Sequence, residues 1–193
     1  MGTLRVISGS AKGIRLKTVP GKSTRPITDL VKEALFNILG NEVLDIQILD
    51  LFGGTGAVGI EALSRGAAAA TFLETNWQAV RIIQQNLEAT HLSDKAVVLH
   101  QDAFKFLTSP QPESFDLIYI APPQYKAMWQ KAMLLLDQNP KLLSDSGQII
   151  VQINPLEWVD ERYVHFKEFD RRKYGDTLLV FFEKSQPSKD ITN

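Results

Sequence analysis

The chain has 193 residues, 44% hydrophobic and 22% charged, with a formal net charge of −1 and no cysteine. A length of this order gives one domain, or one domain with a small appendage, able to bury a sizeable core. Without cysteine there are no disulfides, thiolate nucleophiles or Cys-ligated zinc or iron–sulfur centres.

No apolar run is long enough to span a bilayer, and the start lacks the charged-then-apolar pattern of a signal peptide. A cytoplasmic chain without a membrane segment is expected. Charge is unevenly spread. Residues 1–33 hold seven basic side chains (Arg5, Lys12, Arg15, Lys17, Lys22, Arg25, Lys32) against Asp29 and Glu33, a net of +5, so the remainder sums to −6. A basic end on an acidic body suggests a local contact with phosphate, the plainer alternative being a solvated hairpin with cations on its outer face.

In chain order, Leu4–Ile7 and Ile14–Lys17 alternate apolar and polar around a glycine-containing turn and predict a β-hairpin. Residues 24–28 form a rigid link at Pro26. A helix is expected from the N-cap Thr28 to Gly40, its stripe Val31, Ala34, Leu35, Ile38 and Leu39 facing the core. Alternation of strands and helices follows. Strands are predicted at Ile48–Phe52, Thr71–Glu74, Val97–His100, Leu117–Ala121 and Gln148–Ile153. Helices are predicted at Ala57–Arg65, Trp77–Thr90, near Ala103–Leu107 and near Lys126–Asp137. Near-continuous apolar strands, each followed by a helix, indicate a parallel doubly wound sheet. Val164–Phe169 and Thr177–Glu183, joined by the short Arg171–Asp176 connection, must pair antiparallel. The expected division is a basic hairpin and helix over 1–40, a cofactor-binding domain over 41–184, and a disordered tail over 185–193.

The first strand runs into Gly53-Gly54-Thr55-Gly56-Ala57-Val58-Gly59 and then a helix. Such a loop turns sharply and brings backbone N–H groups close to a ligand. Gly54-x-Gly56-x-x-Gly59 also satisfies the dinucleotide fingerprint, so the loop alone admits either NAD or S-adenosylmethionine. Glu74 ends the second strand, where it can accept from ribose hydroxyls of either cofactor. Asp102 closes the third, where an adenine amino group can donate to it; on its own it reads as a helix N-cap. Asp50, Glu74 and Asp102 on successive strand ends favour a cofactor site over three independent caps.

The stretch Asp50–Ala67 resembles the first motif of the bacterial 16S rRNA guanine-N2 methyltransferases. Arg25–Leu39, Arg172–Thr177, and Arg5–Gly9 with Lys12-Gly13 are similar to the same family's other motifs, so the resemblance spans about residues 4–183. It implies a Rossmann-like class I methyltransferase fold: a seven-stranded, mostly parallel sheet with a terminal antiparallel hairpin, plus an N-terminal β-hairpin and helix. S-Adenosylmethionine is the implied cofactor, with Asp50, Phe52, Gly53, Gly54, Thr55, Gly56, Glu74, Asp102 and Ala103 around it. A guanine of 16S ribosomal RNA within the small subunit is the implied substrate, gripped by Arg5, Lys12, Arg15, Lys17, Lys22, Arg25 and Lys32. A monomer is expected. The chain departs from the family at Ile27 and Leu30, where threonine and arginine are usual.

The segment Ala121-Pro122-Pro123-Gln124-Tyr125 ends the fourth strand. Methyltransferases that act on exocyclic amines carry Asp-Pro-Pro-Tyr or Asn-Pro-Pro-Tyr there. The amine's lone pair is delocalised into the ring. An acid or amide oxygen and a backbone carbonyl accept its N–H groups and localise it, and the aromatic ring stacks on the base. Here Ala121 has no side-chain acceptor and Gln124 stands in the aromatic's place. The catalytic set expected is Ala121, Pro122, Pro123, Gln124 and Tyr125, with Gln124 as acceptor and Tyr125 as stacking ring. The alternative is a cofactor-binding relative with little transfer. Asp116, at the strand's amino end, is on the wrong edge to substitute. His91, His100 and His165 lack metal-ligand spacing, so no metal is expected. Trp129 is read as core packing rather than as a flank to the base.

Overall fold

The computed structural model describes residues 4–19, 27–110 and 114–185. Lys22, Arg25, the link before Ile27 and the tail beyond Ser185 lie outside the described residues.

The N-terminal segment forms a short antiparallel ladder, with a bridge between Arg5 and Arg15 and the Leu16 N–H donating to Leu4 O at 2.8 Å. Helix α1 (Asp29–Leu39) starts at Thr28, whose hydroxyl accepts from the Val31 N–H, and stops at Gly40. Its buried stripe is Val31, Lys32, Leu35, Phe36 and Leu39, which corrects the expected one. Ile38 is exposed. The helix has turned to bury Lys32 and Phe36 against the helix that ends at Ser64, whose C-cap Arg65 lies over the Phe36 ring at 4.9 Å.

The sheet comprises β1 (Gln47–Asp50), β2 (Ala69–Glu74), β3 (Ala96–His100), β4 (Phe115–Ile120), β5 (Leu143–Ile153), β6 (Phe166–Tyr174) and β7 (Thr177–Lys184), in the order β3-β2-β1-β4-β5-β7-β6. The first five are parallel and β7 runs antiparallel to both β5 and β6. The chain order reverses between β1 and β4, the switch point at which such sheets open a crevice.

Helices α2 (Ala57–Ser64), α3 (Trp77–Thr90), α4 (Ala103–Thr108) and α5 (Met128–Gln138) complete the layers. Alternation along each strand divides the core in two. One face joins Ile48, Phe72, Tyr119, Ile150 and Phe181 to α1, α2, α3 and the N-terminal ladder. The other joins Leu49, Ile118, Val151 and Val180 to α4 and α5. Hairpin and α1 thus share the core of the sheet. Trp129 is buried on the second face, stacked on Trp158 at 5.6 Å, and takes the packing role expected of it.

Two strands outrun their predicted bounds by five residues, and others by one or two. β5 begins at Leu143 because Ser144 and Asp145 are held by Asp116 and Lys184. β6 continues to Tyr174, an edge strand with charged residues on its open side. Only Gly175 and Asp176 turn between β6 and β7, in place of the longer connection expected from residue 171. No described helix is long and apolar enough to cross a membrane.

Candidate active site

A cavity of about 580 Å³ opens at the carboxyl ends of the parallel strands, above the switch point. It falls within the ~300–1,000 Å³ usual for small-molecule and cofactor sites. Asp50, Phe52, Gly53, Gly54, Thr55, Glu74 and Asp102 line one side, and Ala121, Pro122, Pro123 and Gln124 the other. The two motifs singled out from sequence therefore face the same space.

The glycine loop is fixed from below. Gly53 N–H donates to Leu73 O at 2.8 Å, seating the loop on the end of β2. Gly56 has φ +76° as it turns the chain into α2, a conformation that favours glycine. A Cβ on Gly59 would stand 2.3 Å from the Phe72 ring, so this glycine is what lets α2 lie against β2. Gly56 itself lies behind the cavity wall, as does Ala103, buried in the core at the first position of its helix. Both differ from the ligand contacts expected of them.

The carboxylates divide the work. Glu74 Oε2 accepts from the Gly54 N–H at 3.0 Å, while Oε1 accepts from Thr75 and Asn76 N–H at 2.8 Å. A carboxylate has lone pairs to spare for ribose hydroxyls after these bonds. Asp102 caps α4, accepting from the Lys105 N–H at 2.9 Å, and still borders the cavity. Asp50 is almost fully buried and its Oδ1 has no partner. Burial pushes its carboxyl up to about 7, the Phe52 backbone hydrogen bond opposing this and the Glu74 charge adding to it. An unpaired acidic oxygen in a cavity wall suits a ligand that brings a cation or a donor.

Across the cavity the strand end behaves differently from expectation at one residue. Pro122, Pro123 and Gln124 line the cavity, but Tyr125 does not; its side chain is 65% exposed. Tyr125 and Ala127 have φ of +60° and +50°. These left-handed turns carry the ring outward, and Glu157 Oε1 fixes the loop by accepting the Tyr125 N–H at 2.7 Å. Lys126 and Met128 border the cavity instead. Sequence reading also missed Tyr119 and Gln152, which line the same wall and are joined by a 2.5 Å hydrogen bond from the Tyr119 hydroxyl to Gln152 Oε1. Neither lies in a motif, and only the β4–β5 pairing brings them together.

Among the basic residues, Arg5, Lys12, Arg15 and Lys17 are exposed. Arg5 pairs with Asp29 at 3.3 Å and Lys17 Nζ donates to Gln85 at 2.9 Å. Lys12 sits at the hairpin tip, which is tied to Ser64 at the end of α2 remote from the cavity. Lys32 is corrected outright. Its side chain is wholly buried, its Nζ lies 3.2 Å from Glu61 and bonds the Arg5 carbonyl, so it does not reach a nucleic acid. Asp116 accepts from the Gln47 N–H and Ser144 Oγ, a structural role at the far edge. Among the described residues no group of three or more His, Cys, Asp or Glu side chains could hold a metal ion.

Strand order, the glycine loop with its acidic flank, and a Pro-Pro strand end across one cavity define a Rossmann-like methyltransferase with S-adenosylmethionine as its cofactor. Known proteins agree. The family model described as "Conserved hypothetical protein 95" matches residues 4–183. A Bacillus subtilis (strain 168) protein provisionally named rRNA methyltransferase YlbH is 40% identical over 94% of this chain and 99% of its own length. Ribosomal RNA small subunit methyltransferase D of Escherichia coli (strain K12) is 35% identical over 78% of this chain and 75% of its own length. The solved structure of Escherichia coli yhhF, provisionally termed a methyltransferase, superposes with a TM-score of 0.83 at 30% identity, covering 95% of this chain and 98% of that one. The chain belongs to the small-subunit rRNA methyltransferase D family.

Proposed function

We propose that the protein transfers the methyl group of S-adenosylmethionine to the exocyclic N2 amine of a guanine in 16S ribosomal RNA. It acts as a monomer in the cytoplasm, on assembled or assembling small subunits. The observation that carries this is the Pro122-Pro123 strand end facing the glycine loop across one cavity. Family membership adds the substrate class, since relatives are named for ribosomal RNA and several of them for its small subunit.

The cofactor supplies an electrophilic methyl group on a sulfonium. Gly53, Gly54 and Thr55 would hold it through the loop, Glu74 would receive ribose hydroxyls, Asp102 would receive the adenine amino group, and Asp50 would supply a negative charge for the sulfonium or amino group. On the other wall, the carbonyls of Ala121 and Pro122 accept the N–H groups of the target amine, with the Gln124 amide as a further acceptor. The paired prolines hold those carbonyls in place. Transfer between the two walls then depends mostly on positioning. A target base must leave its stack to enter, which is why the reaction suits RNA bases already looped out. Exposed Arg5, Lys12, Arg15 and Lys17 grip the phosphate backbone of the RNA, and Lys22 and Arg25 are assigned the same role.

A second reading is a cofactor-binding relative with little transfer, favoured by one observation, the methyl of Ala121 in place of an acceptor. Removing one preorganised hydrogen-bonding group of this kind typically costs about 10²–10³ in rate. Tritiated S-adenosylmethionine with small subunits from a strain lacking the modification separates the two. Stoichiometric incorporation into 16S RNA supports the enzyme, and cofactor binding without incorporation supports the second reading.

A further inference from the structure

We propose that Gln152 reads the target base, standing in for the polar side chain that Ala121 lacks. This rests on the assignment of a guanine amine as substrate.

The placement follows from the sheet. β4 and β5 are parallel, with Tyr119 opposite Ile150 and Ile120 opposite Val151. One step further sets Ala121 beside Gln152. Leu117, Tyr119 and Ala121 project to the same face of the sheet as Ile150, so Gln152 projects there as well. Gln152 and Ala121 both line the cavity. The small side chain at Ala121 leaves the amide of its neighbour open to the ligand.

The amide is also oriented. Tyr119 is almost fully buried, and its hydroxyl donates to Gln152 Oε1 at 2.5 Å. Burial, reinforced by the Asp50 charge, pushes the phenol well above its ordinary range, so it stays a donor. With Oε1 engaged in this way, the two Nε2–H donors of Gln152 are what the residue offers to a base. Donors at that place recognise an acceptor on the base edge adjoining the amine. In guanine the ring atom next to the N2 amine on one side is N3, an acceptor. The Ala121 and Pro122 carbonyls then take the N–H groups of the amine while Gln152 holds N3.

The test uses the full-length protein, small subunits lacking the modification, and three variants. Gln152→Leu removes both donors at nearly constant volume. It should bind S-adenosylmethionine as the wild type does by calorimetry, and lose about 10²-fold in kcat/KM for methyl transfer. Gln152→Glu keeps the size and the acceptors but removes the donors, and should fall comparably. It also serves should the leucine variant not fold. Tyr119→Phe frees the amide to rotate and should cost about 3–10-fold. Combined with Gln152→Leu it should add less than twofold, because Tyr119 acts only through Gln152. Wild-type transfer together with an unchanged kcat/KM in Gln152→Leu overturns this proposal alone. So does Gln152→Glu at or above wild-type rate, or a Tyr119→Phe effect that persists fully without Gln152. A wild type that binds the cofactor yet leaves the subunits unmethylated overturns the substrate reading and this proposal with it.

Discussion

Lys32 on α1 and Glu61 on α2 pair at 3.2 Å with neither side chain exposed. Glu61 also accepts from the N–H groups of Ile7 and Ser8 and from Arg65 Nε at 2.8–3.0 Å. One carboxylate therefore fastens hairpin, α1 and α2 together. Burial lowers the Lys32 ammonium from its ordinary range more than Glu61 restores it. Glu61→Gln leaves that cation without its counter-charge, and removing one partner of a buried pair costs about 3–5 kcal/mol. Thermal melts of Glu61→Gln should show a large fall in Tm, and loss of hydrogen-exchange protection should begin in the hairpin and α1. A shift within error contradicts this role.

Asp50 is expected to make the proposed cofactor site sensitive to pH. Its carboxyl stands at about 7 in the folded chain against 3.8 for the free group, so the folded state holds the extra proton. The stability this proton confers is complete at acid pH and is lost as pH rises through about 7. A cationic ligand prefers the carboxylate, so S-adenosylmethionine should bind more tightly as pH rises from 6 to 8, releasing a proton at the lower end. Asp50→Asn should abolish both trends. Calorimetry in buffers of different ionisation heat measures the proton, and pH-independent binding by the wild type contradicts the assignment.

Ala121→Asp restores the acid usual in amine methyltransferases. In this cavity the new carboxylate stands beside Gln152 and accepts its amide donors, drawing them from the base. No gain in kcat is expected, and a modest loss is. A gain of about 10²–10³ identifies the wild-type site as impaired and favours the weak-transfer reading.

The hairpin cations are expected to act on RNA through its phosphates. Arg15→Glu with Lys17→Glu should weaken RNA binding and flatten the log–log salt dependence by about one for each phosphate no longer neutralised. Cofactor affinity should stay the same. An unchanged salt slope shows that these side chains are only the solvated face of the hairpin.

Local signals in the sequence carried far. Thr28 and Gly40 bound α1 as read, because a cap is a chemical event within four residues. Trp77–Thr90 was likewise legible, since a long amphipathic period dominates its neighbours. The cavity wall that carries the glycine loop was visible because the loop and its acids sit at the ends of consecutive strands. What escaped depends on distant pairing. Lys32 reads as a surface cation until Glu61, 29 positions on, is placed beside it. Tyr119 and Gln152 look like ordinary strand residues until β4 and β5 are in register. Tyr125 looked like a stacking ring, but the positive φ at Tyr125 and the grip of Glu157 could not be read from Pro-Pro-Gln-Tyr.

The most direct test is nucleoside analysis of 16S RNA after incubation of small subunits with the pure protein and S-adenosylmethionine. Digestion and mass spectrometry should find one new methyl group per subunit, as N2-methylguanosine, absent when the cofactor is omitted. Methyl on another atom or another base contradicts the assignment, as does cofactor binding with no methylated nucleoside at all.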